Sequence, residues 1–296
     1  MPELPEVEVV AGGLTSLLGQ RLSGAEISGC TLRGNLRYDR PDGGFGELIG
    51  DELVAIGRRG RYLVLQFVSG RACLVHLGMT GSLFISALES ESPMCKHVHV
   101  RLRFVESSLL YSDPRRFGGW VLLDGPVLQH EWLINLGLEP LTVEQLASVY
   151  PLVTHYRTLP LSAEYLFWWG KRRPSTVIKR LLMDNHVLTG VGNIYATEVL
   201  FAAGLHPAQR IGCLTVNDWQ RVVELTQRFL LRAVVSGGSS IRDYRHSDGG
   251  VGHFQEQLLV YGRFGQSCPS CDTTLEKIII DGRSSTYCPR CQPLSP

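Results

Sequence analysis

Val7, Val10, Leu14, Leu17 and Leu18 recur at helical spacing, which predicts a helix over residues 5–19. Gly12 and Gly13 weaken it, each by about 1 kcal/mol relative to alanine. From about residue 20 to 125 the pattern becomes that of strands. Runs such as Arg61–Val68 and His97–Phe104 are rich in β-branched and aromatic residues, and the second alternates polar with apolar as a half-buried strand does. Several such strands between Gly, Asp and Ser breaks predict an antiparallel sandwich or barrel. Pro126, Pro140, Pro151 and Pro160 mark a connection, with short helices expected near 129–136 and 143–149. From 161 onward helices dominate. Ser175 is the expected cap of a helix carrying Val177, Ile178, Leu181 and Leu182. A second helix runs from Asn193 to Phe201 and closes at Gly204. A long amphipathic one spans 217–236, with Asn217 as its expected cap and Trp219, Val222, Val223, Leu230 and Val234 as its core face.

A length of 296 residues suggests about two domains, and 44% apolar residues is ample for real cores. A net charge of +1 gives no global case for nucleic acid, so any basic surface is local. No apolar run is long enough to span a membrane, and Glu3 and Glu6 stand where a signal peptide would be basic. A cytoplasmic protein without a membrane partner is expected. Cys30 and Cys73 sit in or beside apolar runs and read as buried small hydrophobes.

The other chemistry is local. Cys268-Pro-Ser-Cys271, sixteen residues, then Cys288-Pro-Arg-Cys291 has the spacing of a four-thiolate zinc site. The intervening stretch reads as a β-hairpin turning at Asp281-Gly282, which makes the segment a zinc ribbon with one structural Zn2+ and Arg283 at the turn. Three basic or Gly-rich turns lie in the strand region: Arg58-Arg59-Gly60-Arg61, His76-Leu77-Gly78-Met79-Thr80-Gly81, and Asp113-Pro114-Arg115-Arg116-Phe117-Gly118. An apolar residue beside an arginine on a tight loop suits insertion into a DNA stack. Taken singly, each turn reads first as a surface turn with one apolar residue tucked into the core. Asp184–Gly192 joins two helices through a Gly-rich double turn, which is either a phosphate-binding helix N-terminus with Asn193 as an added donor or a plain helical hairpin. Residues 241–262 read as a mobile polar loop of the kind that closes over a ligand. The opening Met1-Pro2-Glu3-Leu4-Pro5-Glu6 is an ordinary helix start, or, once Met1 is removed, a secondary amine beside a carboxylate.

In combination these residues resemble bacterial formamidopyrimidine-DNA glycosylase. The resemblance rests on Met1–Glu8, His76–Met79, Asp113–Gly118, Met183–Asn185, Gly190–Tyr195, Val260–Arg263 and the four cysteines, in order along nearly the whole chain. It implies an α+β multi-domain fold with an N-terminal antiparallel β-sandwich, a helical domain with helix–two-turn–helix, and a C-terminal four-cysteine zinc ribbon. The corresponding parse is 1–130, a linker at 131–160, 161–262, and 263–293. It implies a monomeric base-excision-repair enzyme that acts on double-stranded DNA containing oxidised bases. Such an enzyme removes 8-oxoguanine and formamidopyrimidines and cuts the strand by β,δ-elimination. Pro2 is implied as the nucleophile and Glu3 as its proton-transfer partner, with Arg61 and Arg283 completing the catalytic set. Met79, Arg115 and Phe117 would fill the vacated stack. His76, His186, Asn193 and Tyr244 would contact DNA, with Arg61 and Arg283 also meeting phosphate. The loop near 240–254 would cover the everted base.

Two positions depart from the family, which usually has lysine at Arg61 and often at His186. Arginine keeps the phosphate charge but cannot titrate as an amine, and histidine makes a contact pH-dependent. An endonuclease VIII-like oxidised-pyrimidine glycosylase is the alternative within the class, but its start reads Pro-Glu-Gly-Pro where this chain has Pro2-Glu3-Leu4-Pro5. A catalytically silent lesion-binding paralogue is the alternative outside it.

Overall fold

The computed structural model describes residues 1–28, 44–87, 97–156, 158–239 and 252–294; Cys30, Cys95, Tyr244 and most of the 240–254 loop lie outside the described residues. The chain divides into two compact units that interleave in sequence. The first holds Met1–Asn135, Val143–Arg157 and Val234–Gln255, and the second holds Leu136–Thr142, Thr158–Ala233 and Glu256–Pro296.

The first unit is a β-sandwich. Its strands are β1 (Leu22–Ile27), β2 (Leu53–Arg59), β3 (Tyr62–Phe67), β4 (Arg71–His76), β5 (Ser82–Ala87), β6 (Val98–Phe104), β7 (Ser107–Ser112), β8 (Gly119–Asp124) and β9 (Val153–His155). One sheet runs β8-β4-β3-β2-β9 and the other β1-β6-β7-β5. Pairing is antiparallel except at β9, which lies parallel to β2 with Ile56 opposite Val153. One apolar cluster joins both sheets to Val7, Val10 and Ala11 of helix α1 (Leu4–Gly13) and to its C-cap Leu14. The helix is shorter than its periodicity predicts and continues as a 3-10 turn over Thr15–Leu17. Gly12 has a packing reason: a Cβ there would stand 2.2 Å from the Tyr150 ring. Short helices α2 (Glu131–Ile134) and α3 (Val143–Ala147) follow where the prolines predict them. Burial pushes the Cys73 thiol up, as an inert core residue requires.

The second unit contains α4 (Ala163–Arg172), α5 (Ile178–Leu182), α6 (Asn193–Ala203), most of α7 (Val216–Val235) and the hairpin β10 (Glu276–Ile280) and β11 (Arg283–Tyr287). Two expected caps are corrected. Ser175 does not cap α5, whose N-cap is Val177 with no side-chain bond. At α7 the reciprocal pair is Thr215 and Asp218, with Asp218 N donating to Thr215 Oγ1 at 3.2 Å and Thr215 N to Asp218 Oδ2 at 2.8 Å, rather than Asn217. Asp281 (φ +49°) and Gly282 (φ +72°) are both left-handed, the signature of the type I′ hairpin that Asp-Gly predicts. Among the described residues no helix is long and apolar enough to cross a membrane.

Candidate functional site

Chain termini usually fray, but here burial begins at the second residue, with Met1 exposed. The apolar face of α1 enters the sandwich core and draws the residues before it inside, so Pro2 is buried and Glu3 is 3% exposed. Glu6 then fixes the start. Its Oε2 accepts the Glu3 N–H at 2.9 Å, and its Oε1 accepts the Ser239 N–H at 2.8 Å and hydroxyl at 2.9 Å. Gly238, at φ +74°, permits this approach, because a Cβ there would lie 3.2 Å from the Glu6 side chain. Ser239 bridges His253, and Phe254 N donates to Gly238 O at 3.1 Å. One carboxyl group thus ties the first residues to the stem from which residues 240–251 depart. The Glu-three-after-cap spacing was a readable signal for Glu6. Nothing in the sequence pointed to Ser239.

A second buried carboxyl orders the neighbouring turn. Glu8 is fully buried and pairs with Arg58, and His155 Nε2 lies 2.6 Å from its Oε1. Burial alone would raise the Glu8 carboxyl, but Arg58 and His155 outweigh it and hold it below the ordinary range. Arg58 Nη1 also donates to Gly60 O at 2.9 Å, in the two-residue turn Gly60-Arg61 between β2 and β3. Arg61 is 6% exposed, and its Nη1 lies 3.8 Å from Met1 Sδ. His76 shares this neighbourhood. Burial pushes it down to about 4, the Arg61 guanidinium and the N-terminal amine add to the effect, and Asp113 opposes it. His76 is therefore neutral at pH 7. Its Nδ1 accepts the Gly78 N–H at 3.1 Å, so its Nε2 carries the proton and is a hydrogen-bond donor rather than a charge.

The two loops expected to carry a wedge are locked together by Asp113, which is fully buried. Its Oδ1 accepts from Thr80 Oγ1, and its Oδ2 from Tyr111 Oη at 3.0 Å and Gly118 N at 2.8 Å. A Cβ at Gly78 would stand 2.5 Å from Gly118 N, so the loops touch backbone to backbone. Met79 and Phe117 are not tucked into the core: they are 45% and 37% exposed, with the Arg115 guanidinium 4.7 Å from the Phe117 ring centroid. Exposed apolar side chains on loops anchored by the buried Asp113, Gly78 and Gly118 are the arrangement an inserting wedge needs.

In the second unit, Gly190 (φ +83°) requires glycine. Gly192 is the α6 N-cap at φ −125°, which any residue adopts. Asn193 Nδ2 donates to Ser284 O at 3.0 Å, so Asn193 holds the hairpin strand next to Arg283. Arg283 is exposed and lines a pocket of about 280 Å3 with Lys179, Arg180, Met183, Asp184, Ile280 and Asp281. Lys179, which no sequence motif marks, is 1% exposed and donates to Thr197 Oγ1 at 2.6 Å. His186 is exposed on the turn, its N–H on Asp184 Oδ1 at 3.0 Å. Glu198 accepts the N–H groups of Leu259, Val260 and Tyr261 at 2.6, 3.0 and 2.7 Å, fixing the segment that leads into the ribbon.

The thiols of Cys268, Cys271, Cys288 and Cys291 lie within 4.8 Å of one another, at separations such as 3.3, 3.5 and 3.9 Å. Four thiolates around one Zn2+ at about 2.3 Å stand about 3.8 Å apart, so the set fits a tetrahedral ion. Ser270 N and Cys291 N donate to the Cys268 and Cys288 sulfurs at 3.4 and 3.3 Å, placing positive dipoles on sulfurs that carry charge when metallated.

Comparison with known proteins agrees with this geometry. Residues 1–120 match the formamidopyrimidine-DNA glycosylase N-terminal domain, 161–245 its H2TH domain, and 265–294 the zinc finger found in FPG and IleRS. Formamidopyrimidine-DNA glycosylases of Acinetobacter baumannii and Pseudomonas paraeruginosa are 40% identical over 294 residues, covering 99% of this chain and 98% and 100% of theirs. A Lactococcus lactis FPG mutant in complex with Fapy-dG-containing DNA superposes with a TM-score of 0.83 at 30% identity, covering 99% of this chain and 100% of that one. The L. lactis enzyme with abasic-site DNA gives 0.82 at 30% identity over 98% and 99%. The chain belongs to the formamidopyrimidine-DNA glycosylase family.

Proposed function

We propose that this protein is a bifunctional DNA glycosylase and abasic-site lyase of base excision repair, acting on oxidised purines in double-stranded DNA. The observation that carries the reading is the buried, pinned start of the chain, with Glu3 3% exposed and its N–H held by Glu6. After loss of Met1, the Pro2 nitrogen becomes a secondary amine in that fixed position. It attacks C1′ of an everted nucleotide, the C1′–N bond breaks, and the base leaves with a proton. Opening of the C1′–O4′ bond then gives an iminium. Loss of a C2′ proton expels the 3′ phosphate, and a second elimination expels the 5′ phosphate. Glu3 moves the protons these steps require. Arg61 supplies a fixed cation and neutral His76 a donor to the phosphate beside the lesion. Met79, Arg115 and Phe117 replace the everted base in the stack. Asn193 and Arg283, with His186 and Tyr244, contact the strand backbone.

One Zn2+ on the four cysteines would hold the hairpin that presents Arg283, without a part in the chemistry. The protein would act as a cytoplasmic monomer. A panel of duplexes carrying 8-oxoguanine, formamidopyrimidine, oxidised pyrimidine or an abasic site tests the reading. Excision with strand cleavage is expected to be fastest on the oxidised purines and lost in Glu3→Gln for base removal. A preference for oxidised pyrimidines, or binding without cleavage, overturns it.

A further inference from the structure

The C-terminal end of helix α4 carries aromatic and cationic residues to which no role has been assigned above. Phe167, Trp168 and Trp169 are each covered by the cation four residues later: Lys171, Arg172 and Arg173 lie 4.8, 4.6 and 4.3 Å from the respective ring centroids. The innermost pair explains itself. Trp169 packs edge-on against Tyr165, whose hydroxyl donates to Val187 O at 3.0 Å, and Arg173 is tied to Asp184 at 3.1 Å. Trp168 in turn packs edge-on against Trp169, with ring centroids 5.1 Å apart, but among the described residues no hydrogen bond or carboxylate ties down this outer pair. Trp168 is 48% exposed, and no ion pair is made by Lys171 or Arg172 among the described residues. The one acid on α4 is Glu164, at its other end.

We infer that the Trp168–Arg172 end of α4, with Lys171, is a second nucleic-acid contact that takes an unpaired stretch of strand, stacking a base on the Trp168 indole and pairing phosphates with the two cations. An exposed ring beside cations lacking carboxylates matches a strand that offers flat base faces and regular negative charge. Duplex bases hide their faces, so the strand is single. A membrane surface fits poorly, because Glu164 and Arg172 stand one turn to either side of Trp168 on its helix face and flank the ring with charge. An acidic peptide would use the cations but not the indole. The contact does not depend on the excision chemistry.

Anisotropy of a labelled short oligothymidylate with the full-length chain, over a salt series, tests this. Trp168→Ala is expected to weaken binding at least about fivefold, and Trp168→Phe to restore most of it. Lys171→Ala/Arg172→Ala is expected to flatten the log–log salt slope by about 1–1.5. Excision from a short lesion duplex should stay unchanged in all three, which also reports that they fold. Equal oligothymidylate affinity and slope in parent and variants overturns the inference. So does a loss confined to phosphatidylglycerol vesicles.

Discussion

Glu6→Gln separates the support of the proposed nucleophile, Pro2, from Pro2 itself. The Glu6 carboxyl group accepts the Ser239 N–H and hydroxyl on Oε1 and the Glu3 N–H on Oε2. A glutamine amide has one acceptor oxygen. With that oxygen toward Ser239, its NH2 faces the Glu3 N–H, donor against donor, at a position 2% exposed. One buried bond to a charged acceptor is lost, worth about 1.5–3 kcal/mol. At about 2–4 °C per kcal/mol for a unit of roughly 150–250 residues, Tm falls by about 3–12 °C. The kinetic effect is larger than the fraction unfolded explains, because a displacement of about 1 Å in a reacting group costs up to about 100-fold. Single-turnover borohydride trapping on an abasic duplex should slow about 10–100-fold, while the Kd for the same duplex stays within about twofold. Gly238→Ala, which crowds Glu6 from the other side, should show a milder form of the same split. A Glu6→Gln protein that loses stability yet traps at the parental rate would refute the idea that this carboxyl group positions Pro2.

Other outcomes follow from the same structure. His76 sits at about 4 against an ordinary 6.5, so the unfolded chain takes up its proton first; stability should fall as pH drops from 6.5 toward 4, and His76→Gln should lessen that fall in urea titrations. Arg180 donates to Asp281 in a two-point contact beside Arg283, which resembles an arginine on a phosphate. Asp281→Asn should therefore raise duplex affinity a few-fold at low salt, and an unchanged affinity would dismiss the pair as a bystander. Stripping metal with a chelator, or Cys288→Ser, removes on the order of 10 kcal/mol of ligation from the ribbon. Bound zinc near one per chain should be lost together with DNA affinity, while unit 1 keeps its thermal transition.

What the sequence revealed was local chemistry. The doubled Cys-x-x-Cys pairs and the Asp281-Gly282 turn are short-range codes, because the groups that act together are neighbours in the chain. What it hid was long-range. The β9 pairing with β2 brings His155 onto Glu8 across 147 positions, and a parallel edge strand of three residues has no pattern of its own. Gly12 looked like a helix weakener, and the Tyr150 ring above it is visible only once the chain has returned. Ser175 had the right residue type for a cap but not the right place, since Pro174 and Ser175 lead into a short turn ahead of α5. Met79 and Phe117 read singly as core residues, and their exposure emerges only from the Asp113 lock between their loops.

The central claim is that the amine of Pro2 does the chemistry. Protein whose intact mass shows Met1 removed should be incubated with an 8-oxoguanine duplex and borohydride, digested, and the cross-linked peptide sequenced by mass spectrometry. The account predicts a single adduct on the Pro2 nitrogen, absent from any fraction that retains Met1. An adduct on a lysine, or efficient trapping by chains that still carry Met1, would contradict it.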